Sequence, residues 1–337
     1  LSYKEDEVPT FPHVYYAPNY KWEAGKLVLK EGKAAGTDEY IEGKANITPN
    51  GQGINVSFTD ATRNYSRLRI ATMPNKQITV AINKYIPAGS SSMEWFQDIA
   101  LTSDEKGNAY LYGTFVRYFD FEVKYEGAPL ASHTFYQAAE NAKSYALDAT
   151  VVSLADEGIT YDQIVEDVKK ELDAGKTYIN LMLAPDVDEE TLDAIHIGLR
   201  EGDARDGSIN LTLIGCKKIP SGGFMYWKML KSIALPDVTE IAEKAFLDCT
   251  RLQKVVLGNL TKVYGKAGEK GIFEGCRTKD IDLILSKDQK VMNGGKTEGG
   301  YCWTADITKD YSGSDEHNGR VFLNYDFQSI TCDYQVP

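Results

Sequence analysis

Residues 230–252 read LKSIALPDVTEIAEKAFLDCTRL, and this stretch decides the fold because looser copies of it precede and follow it. The copies share apolar positions that recur every 22 residues, namely Leu213, Leu235 and Leu257; Ile219, Ile241 and Val263; and Phe224 and Phe246. The next copy gains five residues, at 266–270, before Phe273 and Cys276. A fixed step of this size predicts a repeat array, in which stacked units share one core. Phe246 and Phe273 come from the returning side of successive units and are predicted to stack on each other.

The array extends towards the amino terminus through longer units. Residues 179–183 and 209–213 read INLML and INLTL, and residues 281–285 read IDLIL, so all three are predicted as copies of the repeat strand. The first two copies start 30 residues apart, which leaves room for a helix between them. The array is therefore predicted to open with strand-helix units and to tighten to 22-residue units.

Two amphipathic helices are predicted at this start of the array. The first covers 161–172, and Gly175 follows it as a C-terminal cap. The second begins at Asp186 or Asp188 as N-cap and ends near Gly202. Their apolar faces are carried by Ile164, Val165, Val168 and Leu172 in the first helix, and by Leu192, Ile195 and Leu199 in the second.

Alternation within each repeat strand separates a core side from an outer side. Successive side chains of a strand point to opposite faces, so the Ile and Leu of I-x-L point into the core and the residues between them point out. The outward residues form two columns, namely Asn180, Asn210, Ser232, Lys254 and Asp282, and Met182, Thr212, Ala234, Val256 and Ile284. We predict a binding surface here; a solvated sheet, or one covered by another domain, explains the columns as well.

Residues 1–150 are predicted as a β-rich domain, and residues 151–337 as the repeat domain with an irregular C-terminal cap. Alternating apolar residues predict strands at 54–58, 78–82 and 119–125, with turn residues between them. Short strands at this spacing are typical of an antiparallel sandwich or a barrel-like domain. A helix is expected at about 136–147, before a linker near 150–158.

The stretch 230–252 resembles the BspA-like leucine-rich repeat, whose pattern is roughly L-x-x-I-x-L-P-x-x-x-x-x-I-x-x-x-A-F-x-x-C-x-x-L. The similarity covers 209–285 and, less closely, 160–337. It implies a fold of mixed α and β class, in which an antiparallel β-sandwich-like domain precedes a leucine-rich-repeat solenoid of short parallel strands with helical or irregular returns.

The same resemblance implies a location and a function. Proteins with this repeat are typically surface or secreted proteins of host-associated bacteria, are often lipid-anchored, and in many cases attach to host proteins. It therefore implies a non-enzymatic adhesion protein, on the bacterial cell surface or secreted, that engages a host or extracellular protein through the repeat sheet face. An outer-membrane lipoprotein form, with a lipid anchor upstream of residue 1, is part of this expectation.

Composition and charge limit the classes of partner that can be expected. The net charge of −12 and the lack of a basic stripe argue against nucleic acid, and no apolar run predicts a transmembrane segment. Cys249 and Cys276 hold the same repeat position and are predicted as small buried side chains. Cys302 and Cys332, in the tail, are candidates for a disulfide pair.

No pattern of catalytic or metal-binding residues stands out, so no catalytic residue, metal site or cofactor is predicted. The four histidines are isolated in sequence, and Gly294–Thr297 lacks the glycine spacing of a phosphate-binding loop. The segment with Tyr15, Tyr16, Tyr20 and Trp22 is an alternative site, because exposed aromatic rings stack on sugars; as a buried first strand it would be structural. A glycan-binding protein is thus the second hypothesis, and a hydrolase in the β-rich domain the third.

Overall fold

The computed structural model describes the backbone of residues 14–16, 20–23, 26–29, 41–50, 53–60, 66–86, 98–113, 118–136, 144–265, 271–297, 300–310, 321–323 and 325–334. Side chains are described over 68–86, 98–111, 118–134, 146–264, 271–289, 322–323 and 325–332. Within these ranges two α-helices accompany many strands, and neither helix is long and apolar enough to cross a membrane. The fold class is therefore mixed α and β.

The first part of the chain consists of strands in small, mainly antiparallel sheets. In chain order they are β1 (Val14–Tyr16), β2 (Tyr20–Glu23), β3 (Lys26–Leu29), β4 (Ile41–Asn50), β5 (Gly53–Asp60), β6 (Ser66–Ala71), β7 (Gln77–Ile86), β8 (Ile99–Thr102), β9 (Asn108–Gly113), β10 (Tyr118–Tyr125), β11 (Ala128–Tyr136) and β12 (Ser144–Asp148). The sheet orders are β1-β4-β5, β2-β3, β11-β10-β7-β8 and β12-β6-β9. The strands predicted at 54–58, 78–82 and 119–125 are confirmed as β5, β7 and β10.

The four-stranded sheet β11-β10-β7-β8 buries one face, as the alternation predicts. In β10, the side chains of Phe119, Phe121 and Val123 are buried, whereas those between them are partly exposed. Ile78 and Val80 of β7 join the same cluster. Period-two burial of this kind shows a half-buried strand with one face on a core.

The helix expected at 136–147 is wrong at both ends, because Tyr136 is the last residue of β11. Residues 144–148 form β12, which pairs in parallel with β6, and Leu147 packs against the cluster that contains Phe121 and Val80. Residues 137–143 lie outside the described part of the chain. The apolar spacing in 136–147 is compatible with a helix, but pairing with a distant strand overrides local propensity.

Two helices follow, with the predicted ends. Helix α1 (Tyr161–Asp173) begins with a capping box in which Thr160 and Gln163 hydrogen-bond to each other's backbone N–H groups. Gly175 beyond its end has a left-handed φ of 79°. Helix α2 (Glu189–Glu201) is capped by Asp188, whose carboxylate accepts from the Thr191 N–H at 2.8 Å. Burial of Ile164 and Leu192 and of their apolar neighbours seats both helices on the parallel sheet.

The repeat strands form one parallel sheet of seven strands, in the order β13-β14-β15-β17-β19-β21-β26. These are β13 (Val152–Ser153), β14 (Tyr178–Met182), β15 (Ile209–Ile214), β17 (Leu230–Leu235), β19 (Lys254–Leu257), β21 (Asp282–Ser286) and β26 (Ser329–Tyr334). Each of the predicted copies coincides with one of these strands, and those in β15, β17, β19 and β21 align as predicted, with Asn210, Ser232, Lys254 and Asp282 side by side. The predicted alignment of β14 is wrong by two residues, because Asn180 pairs with Thr212 and Met182 with Ile214. Their Ile, Val and Leu side chains on one face belong to one buried core.

A second sheet, in the order β16-β18-β20-β23-β22, lies on the returning side of the repeats. Its parallel strands β16 (Lys218–Ile219), β18 (Glu240–Ile241) and β20 (Lys262–Gly265) carry the second apolar repeat position. The C-terminal strands are β22 (Lys290–Thr297), β23 (Gly300–Asp310), β24 (Val321–Phe322) and β25 (Tyr325–Asp326), and a short 3₁₀ helix covers Thr278–Asp280.

The phenylalanines of the repeat stack, as predicted. The rings of Phe224, Phe246 and Phe273 lie 5.3 Å and 5.0 Å apart and nearly parallel. The cysteines repeat the same contact in successive units. The free thiol of Cys249 donates to Phe224 O, and that of Cys276 donates to Phe246 O. Cys249 is buried and Cys276 half-buried. The predicted disulfide between Cys302 and Cys332 involves a side chain, that of Cys302, which lies outside the described part of the chain.

Candidate functional site

The two columns predicted as a binding surface lie beneath the hairpin of β10 and β11. Ala128, the first residue of β11, forms a small buried cluster with Ala234 of β17 and Val256 of β19, and Ile284 packs against it. Strand β11 also contacts β14 and β15. The strand therefore runs across the parallel strands and covers their outer face.

Polar contacts join β11 to the same face. Thr212 Oγ1 donates to Pro129 O at 2.9 Å, and Asn180 Nδ2 donates to Leu130 O at 2.9 Å and to Thr150 O at 3.1 Å. Because buried polar groups need hydrogen-bond partners, these contacts explain why a hydroxyl and an amide occupy an otherwise apolar interface. These residues of the two columns thus hold the two parts of the chain together.

An ion pair extends this interface. Lys254 Nζ lies 3.1 Å from Glu122 Oε1 of β10, and both side chains are mostly buried. The remaining polar column residues bond within the repeat part: Ser232 Oγ donates to Asn210 Oδ1 at 2.8 Å, and Asp282 accepts from the Ser329 hydroxyl.

The structure corrects the prediction that this face is a free binding surface. Five of the ten column residues are at most 7% exposed, namely Asn180, Thr212, Ser232, Ala234 and Val256. The other five, Met182, Asn210, Lys254, Asp282 and Ile284, are intermediate. The alternative interpretation, a sheet covered by another part of the chain, fits the five buried residues. Sequence alternation shows which side chains leave the repeat core, but not which part of the chain lies over them.

An open cleft remains beside this interface. Strands β14, β15 and β17 end at Met182, Ile214 and Leu235, and the residues after them form a cleft of about 350 Å³ with the hairpin turn. Its floor is apolar, and its polar groups come from the turn and from the loop after β17. The lining residues are Tyr125, Glu126, Ala155, Met182, Leu183, Ala184, Pro185, Ile214, Gly215 and Asp237. Ligands of parallel sheets commonly bind beyond the carboxyl ends of the strands.

Local backbone geometry shapes both walls. Glu126 and Gly127 have φ angles of 49° and 79°, which is the two-residue hairpin turn that a right-twisted β-ribbon favours. On the opposite wall, Gly215 has φ 89°, and a Cβ there would lie 2.5 Å from Leu183 O. Only glycine therefore allows the loops after β14 and β15 to approach this closely.

Acidic groups and one phenol line the rim. Asp237 accepts from the Gly215 N–H at 2.8 Å and lies 3.3 Å from Lys217 Nζ, so its carboxylate is held in place. Burial, a hydrogen bond with Glu126 and the charges of Glu126 and Asp237 raise the pKa of Tyr125. The phenol therefore keeps its proton at physiological pH and remains a hydrogen-bond donor.

These groups are suited to recognition. Two carboxylates and a phenol over an apolar floor can bind a group with an apolar body and a cationic or hydrogen-bonding end. Met182 is the one predicted column residue that lines the cleft. Sequence reasoning placed Tyr125 at a strand end but missed Glu126 and Asp237. The available signals were the Glu-Gly turn after β10 and the Pro-Asp that directly follows a repeat strand.

The other predicted residues lie elsewhere. Tyr15, Tyr16, Tyr20 and Trp22 belong to β1 and β2, but their side chains lie outside the described part of the chain. His196 of α2 stacks on Trp227 with ring centroids 4.8 Å apart, and burial lowers its pKa. Among the described residues no group of three His, Cys, Asp or Glu is arranged to hold a metal ion.

Comparison of the chain with protein-family models, with curated proteins and with solved structures found no match. The resemblance of 230–252 to a repeat family therefore stays a prediction.

Proposed function

We propose that this protein is a non-enzymatic binding protein, displayed on a bacterial cell surface or secreted, whose parallel sheet belongs to a leucine-rich-repeat solenoid of the BspA-like kind. Its partner is an extracellular or host protein. It engages this partner through the cleft at the carboxyl ends of β14, β15 and β17, since most of the outer sheet face is occupied within the chain.

The apolar cleft with its acidic rim is the observation that carries this proposal. A volume of about 350 Å³ lies at the lower end of the range for ligand pockets and suits one or two side chains of a partner. The rim carboxylate of Asp237 is fixed by Gly215 and Lys217, so binding requires little reorganisation of that group. Partner side chains buried in such a pocket supply much of an interface's energy.

The repeat assignment within this proposal is supported by the ring stack and by the backbone. Tyr226, Asp248 and Gly275 hold equivalent repeat positions, and all three have left-handed φ angles, of 67°, 57° and 75°. A shared unusual conformation at one position of successive copies is expected where each unit repeats the same turn.

Filling the cleft is expected to weaken partner binding. Ala184 lines the cleft and is exposed, so Ala184→Trp adds a large side chain there without disturbing the core. We expect an affinity loss of at least about tenfold for any matrix protein that the unmodified chain captures from a panel of purified extracellular-matrix proteins. Ala100→Trp is the matched control, because Ala100 is exposed on β8, the edge strand of another sheet.

Three outcomes of this experiment contradict the proposal. Equal losses for Ala184→Trp and Ala100→Trp would place binding outside the cleft. Capture of glycans alone, lost on Tyr16→Ala and Trp22→Ala substitution, would favour the glycan hypothesis. Turnover of a captured protein or glycan would make the protein an enzyme.

A further inference from the structure

A second groove lies between α1 and β13, along the edge of the parallel sheet. Strand β13 is the first strand in the sheet order, and the Leu154 N–H donates to Met182 O at 2.8 Å. Because main-chain groups of alternate residues point to the same side of a strand, the N–H and C=O of Ser153 point away from β14. An edge of this kind is a template for pairing with another extended chain.

The groove beside this edge has a volume of about 540 Å³. One wall is the flank of α1, which is held firmly by its capping box and by burial of Ile164 and Val168. Gly158 has a left-handed φ of 87° with no heavy atom within 4 Å of its Cβ position, so the loop before α1 leaves the groove open. The lining residues are Ser153, Asp156, Glu157, Gly158, Ile159, Gln163, Glu166, Asp167 and Lys170.

The charge of the lining side chains indicates which kind of segment the groove can bind. Four carboxylates line it, those of Asp156, Glu157, Glu166 and Asp167, against the single ammonium of Lys170. A second copy of the chain is a poor occupant, because each copy carries a net charge of −12. A basic segment is attracted both by the groove and by the whole molecule.

We propose that this groove binds an extended, positively charged segment of a partner protein, which pairs with the main chain of Ser153 and adds a strand to the sheet. Main-chain hydrogen bonds supply affinity in this mode, and alternate side chains supply specificity. Lysine or arginine at every second position would then project towards Glu166 and Asp167. This interaction is independent of the cleft.

The test uses the full chain and a fluorescent peptide of about six residues with alternating Lys and Thr. We expect saturable binding by anisotropy, at least about tenfold weaker for Glu166→Lys/Asp167→Lys. Glu201→Lys/Asp206→Lys makes the same change of net charge at exposed positions outside the groove and is expected to retain most of the affinity. Thermal unfolding of both double variants checks that they fold.

A second peptide separates strand addition from simple charge attraction. Methylation of its backbone nitrogens at alternate positions removes main-chain donors and keeps every charge, so binding is expected to fall by about tenfold or more. Equal affinity of the two peptides, equal loss in the two double variants, or no binding at about 1 mM peptide would each overturn the proposal.

Discussion

Phe246→Ala is expected to lower the free energy of unfolding by about 3–5 kcal/mol, because it removes the central ring of the repeat core. The side chain is fully buried and lies between Phe224 and Phe273 at centroid distances of 5.3 Å and 5.0 Å. Alanine would leave a cavity that the neighbouring units, fixed by the sheets on both sides, cannot close. Urea unfolding followed by circular dichroism measures the loss.

Tyr226→Ala is the control for this prediction, since Tyr226 belongs to the neighbouring repeat copy and is 52% exposed. We expect it to cost no more than about 0.5 kcal/mol, as is usual for surface substitutions. Similar losses of unfolding free energy for the two variants would show that the ring stack does not stabilise the core.

Val256→Asp is expected to destabilise the protein by about 3–5 kcal/mol at neutral pH, because it places an unpaired carboxylate between the two parts of the chain. Val256 is 1% exposed and clusters with Ala128 and Ala234. If the sheet face were a free binding surface, the same change would leave stability unaltered and abolish binding instead. Chemical denaturation therefore distinguishes a covered face from an open one.

The pH dependence of this variant gives a second check. Burial would raise the pKa of the introduced carboxyl above its unfolded value, so the folded form would bind the proton more tightly. The destabilisation is then largest above the folded-state pKa and shrinks as the pH falls towards the unfolded-state pKa. Ile284→Asp, at the partly exposed border of the cluster, is expected to lose less stability. A loss at Val256→Asp that is independent of pH would point to steric disruption.

Much of the fold could be predicted from the sequence because its signals are local or periodic. The 22-residue step identifies the strands, and the predicted stacking of Phe246 on Phe273 is confirmed. Helix ends were predictable as well, since Asp188 and Thr160 satisfy N–H groups within the next three residues. The strand at 144–148 was not, because its partner β6 lies far away in the sequence.

The candidate site was less predictable, for a related reason. Met182 was singled out because it points away from the repeat core, but its place in a cleft depends on the Glu126 turn, which comes from another part of the chain. Glu126 and Asp237 show no common pattern in the sequence. They share one rim only because β11 crosses β14, β15 and β17 near the carboxyl ends of these strands.

The sequence by itself determined the repeat: its period, five of the seven parallel strands, its two helices and the side of each of these strands that enters the core. These follow from residue spacing, because burial of one face imposes a periodicity that can be read directly. Only the tertiary structure decided what lies on the other side. The pair Lys254–Glu122 joins residues 132 positions apart, and contacts over such distances depend on how two independently patterned surfaces pack. Packing of β11 on the outer columns closed the predicted surface and left the cleft open.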